Sequence, residues 1–102
     1  MPTDINTSQH GNQLTISVSG RFDFSILQQF RDAYSTDAVG NIAAIQIDLS
    51  KTEHMDSSGM GLLLSMKKDL ALDAGAVSLV KCRPHVKDAL LAARMDNLFR
   101  IE

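Results

Sequence analysis

The sequence predicts an α/β sandwich with a mostly parallel sheet. Three observations carry that expectation. Strand-like and helix-like segments alternate along the 102 residues; the hydrophobic period switches between two and about 3.6 from one segment to the next; and no repeat or Pro/Gly/Ser-rich linker interrupts the series. Such alternation lays helices across parallel strands joined by right-handed crossovers. A chain of this length builds one core, so a single domain over residues 1–102 is expected.

The elements follow in order. "HGN" at His10–Asn12 separates a polar first strand from "QLTISVSG", where Leu14, Ile16 and Val18 alternate with Thr15 and Ser17 up to Gly20. In "FDFSILQQFRDAYS" the period becomes helical, with Ile26, Leu27, Phe30 and Tyr34 on one face. Ser25 and Gln28 have the form of a capping box, which predicts a helix from about Ser25 to Ser35. "VGN" at Val39–Asn41 breaks it. "IAAIQIDLS" is apolar with little alternation, as for a central strand covered on both faces. A helix then begins inside "EHMDSSGMGLLLSMKKDL", Glu53–Leu70, and stops at "DAGA" around Gly75. The strand "AVSLVKC" follows, then the helix "PHVKDALLAARM", whose Pro84 suits a first turn that needs no N–H there. "NLFRIE" reads as a last short strand.

Composition removes several classes of function. A net charge of -2 without a basic block leaves no electrostatic footprint for nucleic acid or anionic lipid, so the expected partner is protein. The polar start "MPTDINTSQHGNQ" lacks the apolar core of a signal peptide, and no apolar run reaches the roughly 18 residues of a membrane span. A cytoplasmic protein is expected. Cys82 is the single cysteine and reads as a structural thiol.

Catalytic patterns are missing. A nucleophile elbow needs glycine two residues before its serine, where Met55 and Asp56 precede Ser57 and Ser58. Gly59 and Gly61 are not continued into a dinucleotide fingerprint, since Leu64 holds the third position, and no Gly-Lys-Ser/Thr ending marks a P-loop. His10, His54 and His85 are scattered without metal or triad spacing, although His54 lies beside the serines. The chain is therefore expected not to be an enzyme and to hold no metal or cofactor.

Chemistry concentrates in Asp56-Ser57-Ser58-Gly59. Asp and Ser at a helix start accept hydrogen bonds from the first free amides, each worth about 0.5–2 kcal/mol against alanine. Capping alone does not explain Gly59 and Gly61, each of which costs roughly 0.8–1.0 kcal/mol in a helix. They either pack tightly on the sheet or leave room for another protein to approach the hydroxyls. A phosphate on the exposed serine would meet the positive helix end, worth about 0.3–1 kcal/mol. An interface built over that hydroxyl would instead have to bury a charge of about -1.5 to -2.

The run "IDLSKTEHMDSSGMGLLLSMKK", the upstream "SGRFD" before a helix, and the order of elements over nearly the whole chain resemble STAS domains of the anti-sigma factor antagonist group. The resemblance implies a STAS-like sandwich, a mostly parallel mixed sheet with helices packed against it, and a bacterial partner-switching regulator of transcription. Ser57 matches the phosphorylated serine, and Asp56, Ser58 and Gly59 match its supporting motif, with Gly59 and Met60 expected to line the contact surface. Asp23 matches a position flanking the interface, and a turn-capping carboxylate is an equally open reading of it.

In such a switch the unphosphorylated form binds a serine kinase of the histidine-kinase-like ATPase type, often itself an anti-sigma factor. Phosphorylation of Ser57 releases it and a metal-dependent serine phosphatase resets it; ATP and metal belong to those partners. The chain departs from the group in having Arg21 where an acid is frequent, and in the aromatic pair Phe22 and Phe24, either core or an exposed anchor. The alternative is a constitutive STAS subunit of a transport complex, without phosphorylation.

Overall fold

The computed structural model describes residues 4–35 and 42–102, and the expected helix break at 39–41 lies outside the described residues. β1 (Asp4–His10) and β2 (Gln13–Phe22) form an antiparallel hairpin. Gly11, the first of its two turn residues, has φ 61°, a left-handed conformation that a tight hairpin demands and glycine adopts without a steric penalty. After a 3-10 turn over Phe24–Ile26 come α1 (Leu27–Ser35), β3 (Ala44–Asp48), β4 (Thr52–Met55), α2 (Ser57–Asp69), β5 (Val77–Val80), α3 (Pro84–Ala92) and β6 (Arg100–Ile101).

The sheet runs β1-β2-β3-β5-β6, and β4 pairs with β2. Every pairing except that of β1 with β2 is parallel. The crossovers from β2 to β3, β3 to β5 and β5 to β6 step in one direction, so crossovers of a single hand bring their helices to the same face. Leu14, Ile16 and Val18 of β2, Ile45 and Ile47 of β3, and Val77 and Leu79 of β5 form one buried cluster with Phe30 and Tyr34, Leu62, Leu63 and Met66, and Val86 and Leu90 from the three helices. Burying such a side chain stabilises by about 1.5–3 kcal/mol.

Phe22 stacks edge-to-face on Phe30 at 5.2 Å, and Phe30 on Tyr34 at 5.6 Å. The Tyr34 hydroxyl donates to Asp69 Oδ2 at 2.7 Å, tying α1 to the end of α2. Burial, and then the neighbouring Asp69 carboxylate, push the Tyr34 hydroxyl up to about 12.

Three local expectations are corrected. The helix after β2 is not opened by a Ser25–Gln28 capping box: Asp23 accepts the Ser25 N–H at 3.0 Å, the chain makes a 3-10 turn, and α1 starts at Leu27. The Gln28 side chain bonds to Asp32 instead. β3 is covered on one face only, with Ile45 and Ile47 inward and Ala44, Gln46 and Asp48 half-exposed. Its alanines made the run look continuous, although alanine is too small to require burial. Finally, "TEHM", to which the sequence pattern assigns no strand, is the strand β4. Thr52 and Met55 are buried, and the Thr52 hydroxyl donates to the Val18 carbonyl at 2.7 Å.

β4 is what positions the site. The first half of β2, Gln13–Ser17, pairs with β3, and its second half, Gly20–Phe22, pairs with β4 across a register shift at Gly20/Arg21. Arg21 therefore lies opposite His54 and Phe22 opposite Met55. The chain leaves both strands at the same edge, through Asp23 on one side and Asp56 on the other.

Candidate functional site

Each of those exits is capped by an aspartate. Asp56, with extended φ/ψ of -127° and -175°, caps α2: its Oδ1 accepts the N–H groups of Ser58 at 3.0 Å and Gly59 at 3.1 Å. Asp23 caps the 3-10 turn in the same way, and its Oδ2 accepts from Arg21 Nε at 3.0 Å. Both carboxyls are held below the usual range. For Asp56 the cause is first the Ser58 hydroxyl, then the Gly59 amide; for Asp23 it is first the Ser25 hydroxyl, then Arg21. His54 Nε2 lies 3.5 Å from Asp56 Oδ2 on the outward side.

The two serines have different environments. The Ser58 hydroxyl donates to Asp56 Oδ1 at 2.6 Å and accepts the Phe24 N–H at 2.9 Å, so it joins the start of α2 to the turn after β2. Ser57, the first residue of α2, is exposed, and its hydroxyl has no hydrogen-bond partner among the described residues. One hydroxyl is committed to the fold and the other faces solvent.

The two glycines divide likewise. A Cβ on Gly59 would lie 2.0 Å from the Phe22 carbonyl oxygen, so only glycine lets α2 sit this close to β2. Gly59 is buried, which corrects its expected part in a contact surface: it belongs to the support beneath the serines. A Cβ on Gly61 would meet nothing within 4 Å. Gly61 stands one turn beyond Ser57 on the same face, followed there by Leu64 and Lys68 at helical spacing.

Exposed apolar side chains occur on the turn before α1 and on the outward face of α2. Phe22 is fully buried, whereas Phe24 is 64% exposed in the turn that Ser58 holds, and Leu64 is 40% exposed. Met60 is half-buried and packs against the core, so only part of it reaches the surface. Asp23, Asp56, Ser57, Ser58, Gly59 and Met60 thus all lie at one edge of the molecule. Sequence reasoning singled out Arg21 without a role. Its register opposite His54 needed β4 to be recognised as a strand.

Other candidates lie elsewhere. His85 Nε2 is 2.8 Å from the Glu53 carbonyl, and His10 lies at the β1–β2 hairpin. Cys82 is half-buried, with Sγ 3.7 Å from the Leu79 carbonyl, and burial pushes its thiol up. Among the described residues, no group of three or more His, Cys, Asp or Glu side chains could hold a metal ion. No described helix is long and apolar enough to cross a membrane.

Comparison with known proteins follows the same outline. The family model described as "Mlab, STAS domain" matches residues 5–100. A STAS-domain containing protein of Pseudomonas aeruginosa strain UCBPP-PA14 is 36% identical over 94 residues, which are 92% of each chain. An anti-sigma factor antagonist from Mycobacterium paratuberculosis has a TM-score of 0.80 at 21% identity, covering 98% of this chain and 85% of its own. The Bacillus cell fate determinant SpoIIAA in its phosphorylated form has a TM-score of 0.68 at 20% identity, covering 97% of this chain and 91% of its own. The two structural likenesses speak to the fold.

Proposed function

The chain belongs to the STAS domain family, and on that premise we propose that it is a protein-interaction switch of the anti-sigma factor antagonist type, with Ser57 as its phosphate acceptor. The observation that carries this reading is the division of labour in the serine pair. Ser58 is bonded on both sides within the fold, while Ser57 is exposed and without a hydrogen-bond partner among the described residues. A modification at Ser57 breaks no internal bond; one at Ser58 would break two. SpoIIAA, an anti-sigma factor antagonist of the same fold, exists in unphosphorylated and phosphorylated forms, which lends the reading support.

In this function the partner is a serine kinase of the histidine-kinase-like ATPase type that also acts as an anti-sigma factor. It docks over the start of α2, with Phe24, Leu64 and the exposed part of Met60 as apolar contacts and Asp23 at the rim. The kinase supplies ATP. The γ-phosphoryl group passes to Ser57 Oγ, the hydroxyl proton leaves to a base of the kinase, and ADP departs. Two added negative charges inside the interface then cost several kcal/mol of binding, and every 1.4 kcal/mol is tenfold in affinity. The complex separates, and a metal-dependent serine phosphatase restores the hydroxyl. The chain itself contributes an acceptor and a surface, and no catalysis.

Calorimetry against the cognate kinase tests the proposal. Ser57→Ala keeps wild-type affinity and cannot be released by ATP, whereas Ser57→Asp binds at least about tenfold more weakly. Equal affinities for the two variants refute it. A stable stoichiometric complex with a transporter ATPase, together with absence of phosphate from protein isolated from cells, would favour the constitutive subunit instead.

A further inference from the structure

The cap of α2 poses a problem for any phosphate on Ser57. The helix end would ordinarily welcome an anion through its free amides. Here the amides of Ser58 and Gly59 already donate to Asp56 Oδ1, and the Met60 amide donates to the Asp56 carbonyl. The Asp56 carboxyl is held below the usual range, first by the Ser58 hydroxyl and then by the Gly59 amide, one residue before the acceptor. A phosphate at Ser57 therefore arrives beside a fixed negative charge, at a helix end whose dipole is already answered.

Two basic side chains, Arg21 and His54, stand at that edge. In the parallel ladder of β2 and β4, Arg21 is paired with His54, and both lie on the outward side, since their neighbours Phe22 and Met55 are buried. The Arg21 guanidinium is bonded to Asp23 Oδ2, and the residue after Asp23 donates its N–H to Ser58 Oγ, next to the acceptor. The His54 ring reaches Asp56 Oδ2 from the other strand. The ionisable side chains at this end of β2 and β4 are thus Arg21 and Asp23 from β2 and its turn, and His54 and Asp56 from β4 and the helix cap that precedes Ser57.

Resting on the reading of Ser57 as the acceptor, we propose that Arg21 is the built-in receptor of the phosphate. On modification its guanidinium exchanges the Asp23 carboxylate for the phosphate oxygens, with the imidazole of His54 as a secondary neighbour. The exchange favours phosphate, which carries more charge and presents oxygens that suit the planar guanidinium fork. Arg21 is solvent-exposed, with a side-chain exposure of 61%, so a phosphate can approach its guanidinium from solvent. Asp23 loses nothing essential, because its Oδ1 still caps the turn through the Ser25 N–H, and Ser58 still holds Phe24. The phosphorylated protein is then stable by itself after leaving its kinase, and the surface that the kinase recognised has exchanged the Arg21–Asp23 pair for a bound anion.

The test uses the full chain with phosphoserine genetically encoded at position 57, so that it needs no kinase. The second ionisation of the phosphate, normally near pH 6, is followed by 31P NMR in the wild type, Arg21→Gln, Arg21→Lys and His54→Gln. Arg21→Gln raises that ionisation by roughly 0.2 to 0.7 unit, the size expected of one exposed ion pair. Arg21→Lys recovers part of the shift, His54→Gln moves it less than Arg21→Gln does, and high salt shrinks all the differences. An Arg21→Gln titration superimposable on the wild type overturns the proposal. Mapping the cellular phosphate to another residue overturns the parent reading, a result that the encoded phosphoprotein cannot produce by itself.

Discussion

On its inward side α2 presents Gly59, Leu62, Leu63 and Met66, all buried, and on its outward side Ser57, Gly61, Leu64 and Lys68, all in contact with solvent. The inward residues are determined by what they touch: a Cβ at position 59 would collide with the Phe22 carbonyl, and Leu63 and Met66 are fully enclosed. Among the described residues, no contact determines Gly61 or Ser57 on the outward side. Gly61 has open space around the missing side chain, and Ser57 has no hydrogen-bond partner among the described residues. A helix selected for stability alone would carry alanine at 61 and any good helix former at 57. That difference is what the proposed partner surface over the outward side accounts for.

The same contrast recurs in the aromatic pair, which offers the largest effect. Phe22 is enclosed and stacked on Phe30, so Phe22→Ala should cost about 3–5 kcal/mol in urea unfolding. Phe24→Ala should stay within about 0.5 kcal/mol of wild type, because 64% of its surface is already wet. In binding the order reverses: Phe24→Ala weakens capture of the kinase while the fold is unaffected. Comparable stability losses at the two positions would remove Phe24 from the surface account.

The glycines come next. Gly59→Ala forces α2 away from β2 against a backbone atom, which side-chain rotation cannot relieve, and should destabilise by about 1–3 kcal/mol. Gly61→Ala should stabilise by about 0.8–1.0 kcal/mol through helix propensity alone. If Gly61→Ala also weakens kinase binding, the open space beside Ser57 is occupied in the complex. Opposite signs from two glycines one residue apart in the same motif would be the sharpest form of the comparison.

Much of the architecture was legible because it depends on period. Leu14, Ile16 and Val18 announced β2, and Pro84 announced the start of α3. β4 was not legible: four residues of which three are polar cannot display a period, and its identity comes from pairing with the far half of β2. The one-sided covering of β3 was hidden by Ala43 and Ala44, which count as apolar without needing burial. At the site, the motif identified its helix start and the family resemblance singled out Ser57, but the residues themselves did not show that the two hydroxyls are bonded differently. Two neighbouring hydroxyls look alike until the Phe24 amide, 34 residues away in sequence, is seen to bind one of them. Arg21 stood out only as a departure, since its closeness to His54 passes through the unrecognised strand.

A smaller effect separates the serines themselves. Ser58→Ala removes a hydroxyl that accepts from Phe24 and donates to Asp56, and should cost about 1 kcal/mol while releasing the Phe24 turn, visible as faster amide exchange at Phe24. Ser57→Ala should leave both stability and exchange unchanged. Protection at Phe24 that survives Ser58→Ala would mean that the turn is held by something other than this hydroxyl, and the structural half of the serine pair would lose its distinction.

The finest test is the acid limb of stability. Asp56 is held below the ordinary carboxylate range, first by the Ser58 hydroxyl and next by the Gly59 amide, and Asp23 by the Ser25 hydroxyl and Arg21. A carboxyl whose folded pKa is depressed contributes stability that is fully present above its unfolded value, about 4, and is lost as pH falls through the folded value. Wild-type protein should therefore weaken progressively below about pH 4 as both caps bind protons. Asp56→Asn keeps a cap acceptor without a titrating group, so its unfolding midpoint, lower at neutral pH, should fall less steeply in acid and approach the wild type there. The Arg21 side of the Asp23 pair is exposed, so salt should flatten the Arg21-dependent part at Asp23 more than the part at Asp56, which comes first from neutral hydrogen bonds. Parallel acid limbs in wild type and Asp56→Asn would mean that the carboxylate beside Ser57 carries no charge-dependent stability, and the repulsion proposed for a phosphate at Ser57 would have to be sought elsewhere.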